Sequence, residues 1–108
     1  MKRGDLVTIA LQGDFGKSRP ALLIQANQFQ HHDSITVLLL SSLIIDAPLL
    51  RVSVEPSVEN GLQRPSQIMI DKVMTVRSDK FGSAFGFVEA DTLVEVERCL
   101  AVFLGITK

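Results

Sequence analysis

Cysteine is almost absent from this chain. The lone Cys99 can form neither an internal disulfide nor a zinc cluster. The chain suits a reducing compartment and nothing in it calls for secretion, so the expected location is cytoplasmic. Long apolar runs are missing too. A membrane-spanning helix needs roughly 20 apolar residues, and the best run, Ile35 to Ile45, is interrupted by Thr36, Ser41 and Ser42; no membrane association is expected. Met1-Lys2-Arg3 meets Gly4-Asp5 at once, which leaves no signal-peptide core. Nor does one charge dominate. Eleven basic residues face 12 acidic ones, with 46% hydrophobic and 21% charged residues. That balance excludes a chain-wide polycationic nucleic-acid binder and argues against intrinsic disorder. There is no repeat, linker or low-complexity segment, and 108 residues fit a single domain spanning 1–108.

The charge is unevenly spread. Residues 1–88 carry net +1 and residues 89–108 net −2. Two stretches are locally +2: residues 1–20, through Lys2, Arg3, Lys17 and Arg19, and residues 64–80, through Arg64, Lys72, Arg77 and Lys80. A polyanion site would be small and built from these two stretches; an ordinary solvated surface accounts for the same counts.

Strands dominate the local reading. Leu6–Leu11 is a first strand, and a loop with Gly13 and Gly16 follows. Arg19-Pro20 opens a second strand, Ala21–Gln25, where Pro20 suits a first position. Ile35–Leu40 is apolar almost throughout, so both of its faces are expected to be covered. Leu49–Val54 alternates better. Pro56–Gly61 is a turn-rich break, and Ser66–Val76 is a long β-prone stretch expected to bend or bulge in its middle. Asp79, Gly82 and Gly86 punctuate a loop with a short strand near Ala84–Val88. The period then changes: Leu93, Val96, Leu100, Phe103 and Leu104 share one helical face. Asp91 or Thr92 is placed to cap the helix start, Thr92 and Glu95 have capping-box spacing, and Gly105 fits the position just past its end. The expected fold is mainly β with a C-terminal α-helix (α+β), a small, curved β-barrel. Cys99, beside the stripe, reads as a small buried hydrophobe.

Met1-Lys2-Arg3-Gly4-Asp5-Leu6-Val7, Gly16-Lys17-Ser18-Arg19-Pro20-Ala21-Leu22-Leu23-Ile24, Gly61-Leu62-Gln63-Arg64-Pro65-Ser66-Gln67-Ile68-Met69-Ile70-Asp71-Lys72 and the closing Cys99-Leu100-Ala101-Val102-Phe103-Leu104-Gly105-Ile106 together resemble the MazF/PemK (Kid) family of toxin endoribonucleases, most closely its PemK branch. The resemblance covers essentially the whole chain. It implies an SH3-like barrel of the PemK/MazF/CcdB type, a homodimer, and metal-independent, sequence-specific cleavage of single-stranded mRNA by 2′-hydroxyl attack, with no cofactor. It also implies a cognate PemI/MazE-like antitoxin whose disordered tail occupies the RNA groove. The same barrel hosts CcdB-like gyrase poisons that act by contact alone, which is the alternative reading.

Cleavage of this kind needs proton transfer and a fixed cation on the phosphate. Arg19 matches the family's Arg-Pro arginine and is expected to hold phosphate; alternatively it is an edge arginine paired to a carboxylate. Ser41, with Ser42 beside it, matches the hydroxyl residue ending the family's third strand; alternatively it satisfies its own backbone. Asp71 matches the acidic residue of the family's Arg-Cys-Asp motif and is expected to act as general base, or else to bridge to Lys72 or Arg77. Met69 stands where the Kid-like branch has arginine, so the general acid falls to Lys17 or to Arg19 itself. Phe15 would stack a base or anchor its loop in the core. Ser42, Gln67 and Lys72 complete the expected RNA-binding set. His31-His32-Asp33 looks metal-like, but adjacent strand histidines point to opposite faces, and a solvated turn with no metal is expected.

Overall fold

The strands expected at Leu6–Leu11, Ala21–Gln25 and Ile35–Leu40 are present with slightly different ends. The computed structural model describes residues 1–11, 18–31 and 33–107. Its strands are β1 (Asp5–Ala10), β2 (Ser18–Leu23), β3 (Ser34–Ser41), β4 (Arg51–Val54), β5 (Ser66–Arg77) and β6 (Phe81–Phe87), followed by helix α1 (Ala90–Phe103). All pair antiparallel in one sheet of order β4-β5-β3-β2-β1-β6. Among the described residues no ladder joins β4 to β6, so the expected α+β architecture takes the form of an open sheet, not a closed barrel.

Successive side chains point to opposite faces, and here both faces are covered. Leu6, Leu22, Leu38, Leu40, Val52, Val54, Ile68 and Ile70 form one core with Val96 and Cys99 of α1. Val7, Ile9, Ala21, Leu23, Ile35 and Val37 form a second with Val76. The unbroken apolar reading of Ile35–Leu40 follows from this double burial. Pro20 lies third in β2, opposite Thr8; the ladder to β3 begins only at Ala21, so the missing N–H interrupts nothing on that side.

The bend expected in β5 is a bulge. Leu38 faces Val73 and Leu40 faces Ile68, so residues 69–72 oppose the single residue Leu39. The first part of β5 also carries β4, with Met69 opposite Arg51.

Three local expectations are corrected. Leu49 and Leu50 lie in a turn, where the Leu50 N–H donates to the Ala47 carbonyl at 2.9 Å; Pro48 starts that turn and β4 begins only at Arg51. Residues 81–87 form one continuous strand instead of a glycine-punctuated loop. At Gly86 a side chain would collide with the Asn60 backbone, so glycine there serves close approach, not a turn. The helix starts at Ala90 with no side-chain cap, so the Thr92–Glu95 capping box does not form. Glu95 is instead gripped by Arg98, at 2.6 and 3.1 Å, which holds its carboxyl below the usual range. The far end behaves as expected: Gly105, at φ 74°, and Ile106 donate to Val102 and Ala101 in a Schellman arrangement.

Among the described residues no helix is long and apolar enough to cross a membrane. No three His, Cys, Asp or Glu side chains converge as metal ligands there either. His31 and Asp33 are exposed, and His32 lies outside the described residues.

One buried polar residue organises the 55–62 connection. The fully buried Asn60 accepts from the Ser57 and Leu62 N–H groups at 2.9 and 3.0 Å and donates to the Glu55 carbonyl at 2.8 Å. Ser57 Oγ in turn donates to Glu89 at 2.6 Å, tying the loop to the start of α1. Asn60→Ala removes three part-buried hydrogen bonds and leaves a cavity at a fully buried position, so chemical denaturation should show a loss of about 2–4 kcal/mol. Val58→Ala, at an exposed position, should change stability by less than about 0.5 kcal/mol.

Cys99 is buried in the first core, as expected. Burial, followed by the nearby Glu95 charge, pushes its thiol up. A raised folded value means the neutral thiol's contribution is complete below the unfolded value of about 8.5 and is lost as pH climbs through the folded one. A thiol reagent should therefore label Cys99 only in denaturant, and stability should decline on the alkaline side above about pH 8.5.

Candidate functional site

β3 runs between β2 and β5, so the end of β3 collects residues from both neighbours. The last β2–β3 pair is Ala21 with Leu39; two residues further on, Arg19 and Ser41 flank the same gap. Ser41 is also opposite Gln67 of β5, and Gln67 opposite Ser53 of β4. A cleft of about 370 Å³ opens at this end, lined by Arg19, Pro20, Leu40, Ser41, Ser42, Leu62, Gln63, Arg64 and Ser66.

Its charge sets it apart. Among the described residues its lining contains two guanidinium groups and no carboxylate. Three other clefts with charged linings mix the signs: Arg51 with Asp46 and Glu95, Arg77 with Asp33 and Asp79, and Lys2 and Arg3 with Asp5. Described lining residues that include cations and no carboxylate can take a phosphate without repelling it. Ser41 fits both of its sequence readings. Its Oγ accepts the Leu43 N–H at 3.0 Å, which closes the turn after β3 and leaves the hydroxyl proton free to be donated. Arg19, Ser41 and Ser42 are thus brought together.

The other expected site residues lie elsewhere. Gln67 is buried and lines the neighbouring cleft with Arg51, Ser53 and Ile45. Its amide accepts from the Ile45 N–H at 3.1 Å and donates to the Ile45 carbonyl at 2.9 Å, so it fastens the segment after β3. Asp71 sits in the bulge of β5, where its Oδ1 meets Arg51 Nη1 at 2.7 Å. The bridge expected to Lys72 or Arg77 is replaced by this cross-strand pair, and Arg77 pairs with Asp79. Lys72 is exposed next to Asp71. Lys17 and Phe15 lie outside the described residues.

Two arginines escaped the sequence reading of the site. Arg51 stands opposite Met69, so a cation reaches Asp71 from β4 although position 69 is methionine. Arg64 lines the Arg19 cleft; its place in the Gly61–Lys72 patch was the available signal.

Known proteins share the sequence and the fold of this chain. Residues 2–104 match the family described as PemK-like, MazF-like toxin of type II toxin-antitoxin system. A probable endoribonuclease MazF of Mycolicibacterium smegmatis is 42% identical over 107 residues, 98% of each chain. In structure, a mycobacterial endoribonuclease in complex with its cognate antitoxin superposes with a TM-score of 0.84 at 22% identity, over 100% of this chain and 98% of that one. MazF in a MazE–MazF complex from Deinococcus radiodurans gives 0.78 at 22% identity, over 99% and 97%. Nothing in these matches favours the gyrase-poison alternative. A match across nearly the whole length, on the fold that carries the Arg19 cleft, makes this chain a member of the PemK/MazF family of type II toxin–antitoxin toxins.

Proposed function

We propose that this toxin is an endoribonuclease that cuts single-stranded mRNA at the Arg19 cleft without a metal. The observation that carries this reading is a cleft whose described lining residues bring guanidinium and hydroxyl groups together and include no carboxylate. In the reaction the ribose 2′-oxygen attacks the adjacent phosphorus and the bond to the 5′-oxygen breaks. One proton leaves the 2′-hydroxyl and one is delivered to the departing oxygen. The products are a 2′,3′-cyclic phosphate and a 5′-hydroxyl. Arg19 stabilises the charge that gathers on the phosphorus oxygens, and the Ser41 hydroxyl donates to phosphate or the 2′-oxygen. Asp71 does not line this cleft; paired with Arg51 in the β5 bulge, it supports the site from the neighbouring strand.

The test is purified protein with long single-stranded RNA in excess chelator. Discrete cuts with cyclic-phosphate ends are expected, and intact RNA at high protein would refute the reading. Arg19→Ala should lower cutting by about a hundred- to a thousandfold with the fold unchanged. Asp71→Asn and Arg51→Gln should lower it to similar extents, because either breaks the same pair. A loss confined to Asp71→Asn would make the carboxylate itself the proton acceptor.

Assembly follows from apolar surface. Ile35–Leu40 is covered within the chain, whereas Leu43, Ile44, Ile45 and Leu49 are exposed. An apolar cleft of about 420 Å³ joins Pro48, Leu49 and Leu50 to Val102 and Phe103 of α1. In this reading that face is the seat of a two-fold homodimer. Light scattering at micromolar concentration should give a dimer, and Leu49→Asp should give a monomer; a monomeric parent protein would remove the claim. A PemI/MazE-like antitoxin completes the system. An acidic, disordered tail with apolar anchors would place carboxylates where RNA places phosphates.

A further inference from the structure

We propose that Arg64 is a second phosphate-binding cation of the cleft, holding the phosphodiester next to the one being cut. The inference rests on the RNA-cleaving reading of this site and adds to it how a strand, as opposed to a single nucleotide, is gripped.

Arg64 belongs to neither the sheet nor the helix. It sits in the short segment between Asn60 and the first residue of β5, and it lines the cleft with Arg19, Ser41 and Ser42. That segment is held at both ends. Behind it, the buried Asn60 side chain accepts the Leu62 N–H at 3.0 Å. Ahead of it, Ser66 Oγ donates to the Arg64 carbonyl at 3.1 Å, and Ser66 is paired with Val54 of β4. Pro65 fixes one more backbone angle between them. A cation on so short and anchored a segment loses little backbone freedom when it grips a ligand.

The Arg64 side chain is also uncommitted. Arg3, Arg51, Arg77 and Arg98 each meet a carboxylate. Among the described residues no ion pair or side-chain hydrogen bond uses the Arg64 guanidinium, and its residue is exposed. A structural arginine would have such a partner. An exposed guanidinium that shares a cleft with a second cation, with no acid among the described lining residues, attracts a ligand carrying more than one negative charge. RNA supplies these as successive phosphates, and the planar guanidinium takes phosphate oxygens in pairs. Arg19 and Arg64 approach the cleft from different walls, β2 and the 62–66 segment, so one strand passing through meets both.

The experiment measures binding of a mixed-sequence, single-stranded 2′-O-methyl RNA, which has no free 2′-hydroxyl to attack, over a salt series, alongside cleavage kinetics on ordinary RNA. Arg64→Gln should flatten the plot of log affinity against log salt by about 0.7, the slope of one phosphate contact on a single strand. It should raise KM by about tenfold, the scale of one charge-assisted hydrogen bond, and leave kcat within about twofold, because the contact is equal in ground and transition states. Arg64→Lys should keep the parent slope. An unchanged slope and KM in Arg64→Gln, or Arg64→Lys behaving like Arg64→Gln, overturns the assignment. A parent protein that leaves RNA intact is a different result: it refutes the cleavage reading itself.

Discussion

Burial of β3 on both faces is the constraint from which the rest of the molecule follows. A strand whose alternate side chains enter two separate cores must have a neighbour on each edge and cover on each side. β2 and β5 supply the edges, and α1 closes the core that holds Leu38 and Leu40. Where that double burial ends, at Ser41, the chain turns, and the residues of the neighbouring strands that extend past the turn are left at the rim. The cleft is that rim. Its cations come from β2 and from the segment leading into β5, and its hydroxyls from the end of β3 itself.

The bulge in β5 is the second consequence. One 12-residue strand serves β3 along much of its length and β4 along its first part, and the two registers are reconciled by leaving residues 69–72 against a single partner. Asp71 and Lys72 lie where the ladder is interrupted. A carboxylate there has no ladder to fix it, and Arg51 supplies the restraint from the next strand. Strand order therefore decides which arginine meets which acid, and position 69 can be methionine while the acid still has a cation beside it.

Whatever depends on period was legible in the sequence. Ile35–Leu40 announced a doubly covered strand, Ser66–Val76 a bent one, and Gly105 the end of a helix. Arg19 and Ser41 were legible through the family motifs and are brought together. Features that depend on a distant partner were hidden. Glu95 has capping-box spacing from Thr92, yet Arg98 on the next turn takes its carboxylate. Gly82 and Gly86 read as turn residues because a close approach, to the Thr8 side chain at Gly82 and to the Asn60 backbone at Gly86, leaves no local trace. Gln67 read as a polar groove residue because nothing near it in sequence reveals that the Ile45 backbone consumes its amide. Leu49 read as strand because alternation does not report the turn that Pro48 imposes.

The central claim is that RNA enters at the rim of β3 and not at the mixed-charge clefts elsewhere on the surface. It is tested most directly by following backbone amide resonances of nitrogen-labelled protein while single-stranded 2′-O-methyl RNA is added. The account predicts that resonances of Arg19, Ser41, Ser42, Gln63, Arg64 and Ser66 move first and together, with those of Ser34, Ser78 and Asp79 left in place. Movement concentrated around Arg77 and Asp79, with the β3 rim unchanged, would contradict it.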